Sequence, residues 1–294
     1  MSDFWKKLRK EAYMTFARPV AKRLPNTDWG DRAAYRHGFY TRHGRWPGNR
    51  MLFNDVLFRI KSGPEIVSPE RTFTSDKEFV KTYVAGIAGN AYNVPTLAIL
   101  RTAEDVETFD VPEPCVIKPT HGCGSVTILK DGAEPDRAAL ANQLTENYYF
   151  VARERNYRQL KGKLIVEPLL FAGQDVNDYK VFCWKGQARC ILYVNDRNRS
   201  FYRHLFDTDW NLLPVELSPF DMKRPIPPRP KALEEMLSVA EQLSKPFGFV
   251  RVDFYLDQDR VLVGEITHCH QGGNEKFRSL QDEMALSRLI WGTI

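Results

Sequence analysis

The 294-residue chain has no run of 18 apolar residues, so a transmembrane helix is not expected. Its first eleven residues are charged throughout and lack the apolar core and cleavage site of a secretory signal. Five cysteines make an odd number with no CxxC spacing, which excludes a disulfide framework. Four of the five sit in apolar, strand-like runs and read as buried free thiols, which fits a reducing, cytoplasmic setting. There is no Gly-Lys-Ser/Thr phosphate loop, no GxGxxG, no internal repeat and no low-complexity tract. Hydrophobic residues at 43% and charged residues at 27% exclude collagen, a disordered tail and a small disulfide scaffold.

Net charge is also scarce, at +5, but it is unevenly spread. Residues 1–50 hold twelve Lys and Arg against four acids, a net of +8; the other 244 residues hold 30 against 33, a net of −3. The basic region begins MSDFWKKLRKEAYMTF, which could form a helix with Phe4, Trp5, Leu8 and Ala12 on one side. Such a helix either docks on its own domain or lies on a membrane surface. Residues 17–50 lack clear periodicity and read as short helices and irregular chain.

Periodicity and turn signals place the remaining elements. A helix starts at Ser75-Asp76-Lys77, capped by the Ser or the Asp, with Phe79, Val80, Tyr83, Val84 and Ile87 on its apolar face. Strands are expected at Leu97–Leu100, Pro114–Lys118, Ser125–Lys130 and Leu164–Val166, and a helix over 136–145. Strands Tyr179–Trp184 and Ala188–Val194 form a hairpin around Lys185-Gly186-Gln187, with a third strand near Phe201–Phe206. Pro225–Pro230 is a stiff connector, followed by a helix through Leu233, Met236, Leu237, Ala240 and Leu243. Strands Phe249–Leu256 and Val261–Thr267 form another hairpin, and Lys276–Trp291 a closing helix. Hairpins mixed with helices describe an α+β protein.

The last hairpin is the most informative stretch. With Gln258–Arg260 as its loop, Asp257 faces Val261, Asp253 lies opposite Glu265, and Arg251 opposite Thr267. Val252, Phe254, Leu262 and Ile266 then share an apolar face. Carboxylates directly opposed on a ladder repel. Either a divalent cation such as Mg²⁺ removes that cost, or Arg251 neutralises both acids in a charge cluster. Upstream, Cys115-Val116-Ile117-Lys118 runs into Pro119-Thr120-His121-Gly122-Cys123-Gly124, a glycine hairpin that reads as a phosphate cover with a lysine point charge, or as a plain turn. Lys180 is a second candidate cation, or an exposed strand lysine. His268-Cys269-His270 has no fourth ligand at zinc spacing and reads as acceptor-site lining or packing.

Together these segments resemble the ATP-grasp superfamily, and within it the TupA-like branch associated with teichuronopeptide and other cell-surface polysaccharide synthesis. The resemblance is carried, in family order over about residues 50–280, by Asp76-Lys77, Val116–Gly124, Ile165-Val166-Glu167-Pro168-Leu169-Leu170, Asp178–Phe182, Arg251–Tyr255 and Gly264-Glu265-Ile266-Thr267. It implies two α+β lobes whose antiparallel sheets clasp ATP: a basic region at 1–50, a pre-grasp region at 51–112, a small lobe at 113–170 and a large lobe at 171–294. Lys118 and Lys180 would bind ATP phosphates, covered by Gly122, Gly124 and Ser125. Glu167, Leu169 and Leu170 would belong to the adenine hinge, and Asp178 would take the ribose hydroxyls. Asp253 and Glu265 would hold Mg²⁺. Many members have Asn two residues past that glutamate; here Thr267 offers a hydroxyl. Arg251, with Lys180, would serve catalysis by stabilising negative charge.

The implied chemistry is ATP-dependent ligation of a carboxylate to an amine through an acyl phosphate, which needs no side-chain nucleophile. The expected partners are a uronic acid or acidic glycan and an amine or amino acid. The basic region would meet a polyanionic acceptor or the inner membrane face, making the protein cytoplasmic and peripheral at most. A nucleic-acid partner is not expected, since the positive charge is confined and no binding motif is present. A phosphotransferase on the same fold, or a non-enzymatic glycan- or membrane-binding protein, are the alternatives.

Overall fold

Two antiparallel sheets organise the computed structural model, which describes residues 23–170, 177–195, 201–218, 225–257 and 260–292. The expected basic helix around Phe4–Ala12 lies outside the described residues. The chain runs α1 (Asp28–His43), α2 (Phe53–Ser62), α3 (Pro69–Ser75), α4 (Phe79–Ile87), β1 (Ala98–Leu100) and α5 (Ala103–Thr108). It continues through β2 (Cys115–Pro119), β3 (Thr127–Leu129), α6 (Arg137–Thr145), α7 (Tyr148–Ala152) and β4 (Leu164–Pro168). Then come β5 (Asp178–Trp184), β6 (Gln187–Asn195), β7 (Tyr202–Phe206), α8 (Leu233–Ser244), β8 (Phe249–Asp257), β9 (Arg260–Thr267) and α9 (Leu280–Trp291). The four-stranded sheet has the order β1-β4-β2-β3 and the five-stranded sheet β7-β6-β5-β8-β9.

Where short helices were expected, α1 is a 16-residue helix. Thr27 accepts a hydrogen bond from the Gly30 amide at 3.2 Å, Asp28 and Asp31 occupy the first turn, and Gly44 closes the end in the left-handed region. These local signals outweigh a weak apolar period. Asp31 is fully buried and accepts from Tyr149 and pairs with Arg153 and Arg158, which ties α1 to the segment after α6. Several basic residues of this region are thus structural. Arg45 pairs with Asp55 and Glu283, and Arg42 donates to the Asn274 carbonyl. The closing helix begins at Leu280, four residues later than expected, because Ser279 and Asp282 form a capping box there. Asp76 caps as anticipated, its Oδ1 accepting from the Glu78 and Phe79 amides.

The five-stranded sheet is covered on both faces. Val181, Ile191, Val250, Val252, Phe254 and Ile266 pack against α8 and α4. Phe182, Cys190, Leu192 and Phe249 pack against α2 and α9 through Phe53, Leu57, Ile290 and Trp291. The small sheet buries Cys115, Ile117, Leu164 and Val166 against Val106 and Leu140.

One register detail departs from simple alternation. Asp253 pairs with Glu265 and Arg251 with Thr267, but Phe254 pairs with Val263, so Gly264 is an extra residue in β9. Asp257 accordingly faces Arg260, not Val261, so the expected loop of Gln258–Arg260 is not kept; residues 258–259 lie outside the described residues. Val263 takes the core position expected for Leu262. Glycine fits the bulge closely: a Cβ on Gly264 would lie 2.7 Å from Tyr255 Cε2.

Candidate active site

The face of the five-stranded sheet that is apolar under α2 and α9 becomes charged further along the same strands. On β5 the side chains of that face run Trp184, Phe182, Lys180, Asp178; on β8 they run Phe249, Arg251, Asp253, Tyr255. Lys180 pairs across the ladder with Asp253, and β9 adds Glu265 and Thr267. Alternation therefore gathers Asp178, Lys180, Arg251, Asp253, Glu265 and Thr267 on one surface.

Arg251 is the centre of this surface. It is buried, and it forks onto Asp253 with Nε–Oδ1 and Nη2–Oδ2 distances of 2.6 Å each. The same Nη2 reaches Glu265 Oε1 at 3.2 Å and Thr267 Oγ1 at 3.0 Å. Thr267 in turn donates to Glu265 Oε1 at 2.7 Å. The Lys180 ammonium lies 2.6 Å from Asp253 Oδ2 and 3.0 Å from Asp178 Oδ2. Burial favours the neutral form of Glu265, but Lys77, Arg251 and Lys180 outweigh it and hold the carboxyl at about 2. Burial likewise disfavours the Arg251 cation, yet the charges of Asp253, Glu265 and Asp178 raise its pKa instead.

Behind Arg251 stands a relay that sequence reasoning did not assign. Arg251 Nη1 lies 2.5 Å from His270 Nδ1, and His270 Nε2 lies 2.8 Å from Glu275 Oε2. Guanidinium can only donate, so Nδ1 accepts and Nε2 carries the proton. Burial and the Arg251 charge keep His270 neutral down to about pH 4. Burial works against the Glu275 anion, but the His270 hydrogen bond and Arg203, 2.9 Å away, hold it at about 2. Of the His268-Cys269-His270 triplet, His270 thus supports the site, while buried His268 packs between Arg71 and Thr74.

The small sheet contributes the second wall. Outside its buried face it turns Val116, Lys118, Ile165 and Glu167 the other way. Lys118 Nζ lies 2.6 Å from Glu167 Oε2, and Lys81, from α4, lies 2.6 Å from Oε1. Burial raises the Glu167 carboxyl, but the two lysines more than compensate and lower it. Lys81 carries no sequence signal, since only the tertiary fold brings α4 to β4. Leu169 and Leu170 follow Glu167, half-buried, with the Leu169 amide on the Pro114 carbonyl at 3.2 Å.

The glycine hairpin links the walls. Its root is pinned by Asp76, which accepts from Thr120 Oγ1 at 3.1 Å and pairs with Lys163 at 3.1 Å. Lys77 donates to the Gly122 carbonyl at 2.5 Å. Gly122 faces Tyr148, whose Cβ would lie 3.3 Å from an added Cβ, and Gly124 has φ of +101°, a conformation that favours glycine. Ser125 is half-buried beside it. The Cys123 thiol, although exposed, is raised by the desolvation its neighbours impose and then by the charge of Glu265. Tyr255 is raised by burial and then by the charges of Asp178, Glu265 and Glu167.

The donor set suits a hard cation. Asp253, Glu265 and Thr267 offer only oxygen, and Mg²⁺ characteristically takes one or two carboxylates and completes its shell with phosphate and water. Among the described residues no group of three or more His, Cys, Asp or Glu is placed to hold a metal ion, so a site built wholly from such ligands is not formed there. All five cysteines are free, and all but Cys123 are buried.

A family model described as TupA-like ATP-grasp matches residues 58–290. Among curated proteins nothing matches. Among solved structures, the chain is similar to an L-amino acid ligase from Bacillus licheniformis, at 16% identity over 87% of this chain and 61% of that one, with a TM-score of 0.46. It is similar to D-alanine–D-alanine ligase from Helicobacter pylori, at 16% identity over 74% and 61%, TM-score 0.39. It is also similar to the Bacillus anthracis D-alanine–D-alanine ligase, at 13% identity over 75% and 64%, TM-score 0.42. The chain thus spans less than two thirds of these proteins.

Proposed function

Because this chain belongs to the TupA-like ATP-grasp family, we propose that it ligates a carboxylate to an amine at the expense of ATP, releasing ADP and phosphate. The observation that carries this reading is the opposed Asp253–Glu265 pair, bridged by buried Arg251 and flanked by Lys180. A binding module gains little from opposing two carboxylates on one ladder; phosphoryl transfer needs both acids and cations there.

Lys118 and Lys180 bind the phosphates, with the backbone of Gly122, Gly124 and Ser125 covering them. Glu167, Leu169 and Leu170 border the adenine, and Asp178 takes the ribose. Asp253 and Glu265, helped by Thr267, hold Mg²⁺, which when bound neutralises triphosphate charge. In the first half-reaction a substrate carboxylate oxygen bonds to the γ-phosphorus and ADP departs with the electrons of the broken P–O bond. Arg251 then stabilises the negative charge that develops as the amine attacks the acyl carbon and phosphate leaves. His270 and Glu275 keep the guanidinium oriented for that task.

The carboxylate is a uronic acid or an acidic cell-surface glycan or its precursor, and the amine an amino acid or related compound. Residues 1–25 recruit this polyanion or the anionic inner membrane face; among the described residues no helix is long and apolar enough to cross a membrane. A nucleotide-turnover screen with uronic acids or acidic glycans plus a panel of amino acids, read by product mass, tests the reading. Formation of ADP, phosphate and an amide only when both substrates are present is expected. AMP and pyrophosphate would refute it, and a stable phosphorylated product formed without any amine would establish a phosphotransferase.

A further inference from the structure

Beside the proposed catalytic surface, a buried ammonium and a carboxylate stand close together without pairing. Lys61, on α2, is 8% exposed; its Nζ donates to the Gly272 carbonyl at 3.2 Å and sits 4.4 Å from the centroid of the Tyr35 ring. Glu154, half-buried after α7, is raised by burial and by the Glu265 charge, with Lys61 and Arg251 opposing. Among the described residues neither Lys61 nor Glu154 forms an ion pair within 4.0 Å. Buried charges are ordinarily paired, because an uncompensated one forfeits its hydration.

Both lie against Gly272. It lies in the left-handed region, φ +58°, and a Cβ there would sit 3.2 Å from Lys61 Nζ, 3.5 Å from Glu154 Oε1 and 3.8 Å from Asn274 Nδ2. A cation, an anion and an amide therefore converge on space that a side chain would occupy. Lys61, Gly272 and Asn274 also line a cavity of about 420 Å³ whose walls include Tyr35, Phe39 and Phe58. The same turn begins with His270, which is hydrogen-bonded to Arg251.

We propose that this cradle binds the amine substrate as a zwitterionic α-amino acid, its carboxylate on Lys61 and Asn274, its ammonium on Glu154, and its side chain in the cavity. The inference rests on the ligase reading and adds the residues that would hold the two charged ends of the amino acid. Glu154 accepts one ammonium proton; the freed lone pair forms the C–N bond at the acyl carbon; the bond from that carbon to the phosphate oxygen breaks and phosphate leaves with its electrons. The second surplus proton on nitrogen passes to the departing phosphate.

Calorimetric titration of the full chain with the standard L-amino acids, D-alanine and D-glutamate, and with a non-hydrolysable ATP analogue and Mg²⁺, tests this. At least one amino acid should bind, while its N-acetyl derivative and its methyl ester should not. Glu154→Gln and Lys61→Met should each weaken that binding about tenfold or more, the scale of a lost charge-assisted hydrogen bond. Nucleotide affinity and melting temperature should be unchanged in both variants, which separates recognition from folding. Absence of binding by every amino acid, or a methyl ester that binds as well as its parent, overturns the proposal. Failure of the nucleotide to bind would instead count against the ligase reading, and amino-acid binding sensitive to Glu154 and Lys61 would survive it.

Discussion

Asp253 and Glu265 face each other across β8 and β9, and a single guanidinium nitrogen, Arg251 Nη2, contacts both, at 2.6 and 3.2 Å. Two acids so placed repel unless a cation stands between them. Arg251 fills that role in the ligand-free protein, and the same pair is the proposed Mg²⁺ site. The two readings of the hairpin that the sequence leaves open are thus compatible: Arg251 neutralises the acids, and the acids remain oxygen ligands.

Replacing Arg251 by Met should be costly to the fold as well as to activity. It leaves Asp253 beside Lys180 alone and Glu265 opposite an acid with no guanidinium. Losing one partner of a buried ionic network costs about 3–5 kcal/mol. Urea unfolding should show that loss, whereas Thr267→Val should change stability by about 1 kcal/mol, the scale of one hydrogen bond.

Lys118→Met should behave differently. Glu167 keeps Lys81 at 2.6 Å, so the carboxylate stays compensated. The melting temperature should hardly move, while the dissociation constant for ATP, read by calorimetry, should rise about tenfold or more. Removing Lys81 as well should then destabilise the protein.

The bulge at Gly264 gives a packing prediction. Its φ is not positive, so alanine is allowed by the backbone, but its Cβ would meet the Tyr255 ring at 2.7 Å. Gly264→Ala should cost about 1–3 kcal/mol. In a Tyr255→Ala background that cost should largely disappear, a coupling that a double-mutant cycle reads directly.

Acidification should destabilise the protein in two windows. His270, pushed down to about 4, and His43, also at about 4, bind protons more weakly folded than unfolded, so stability falls as pH drops from about 6.5 towards 4. Glu265 and Glu275, both held at about 2, contribute stability present above their ordinary value and lost as pH falls from about 4.5 towards 2. Glu275→Gln should flatten the lower window in a pH series of denaturation midpoints, and His270→Gln should remove part of the upper one.

What was legible beforehand followed from local pattern. Taking Asp257 to face Val261 sets Asp253 against Glu265 and Arg251 against Thr267; Asp257 in fact faces Arg260, and the extra residue Gly264 in β9 offsets that one-residue difference, so these two pairs stand. The register nearer the turn was not legible, because a bulge satisfies alternation on both of its sides and only the Tyr255 ring against Gly264 reveals it. Residues delivered by distant elements were likewise hidden. Lys81 reaches Glu167 from a helix some 80 positions earlier, and Lys61 and Glu154 meet only around Gly272. Asp76-Lys77 was visible as a motif, but its use, pinning the glycine hairpin through Thr120 and Gly122, is a tertiary fact. The length of α1 was missed because its short apolar stripe, Ala34, Tyr35 and Phe39, is reinforced by caps and by buried Asp31 contacts that periodicity does not show.

The most direct measurement of the central claim is isotope transfer. Once the turnover screen supplies a carboxylate substrate, that carboxylate is labelled with oxygen-18 and the released phosphate is examined by mass spectrometry or phosphorus NMR. Activation through an acyl phosphate requires one labelled oxygen to move from the carboxylate into inorganic phosphate, in step with amide formation. Unlabelled phosphate, or label appearing in AMP, would contradict the account.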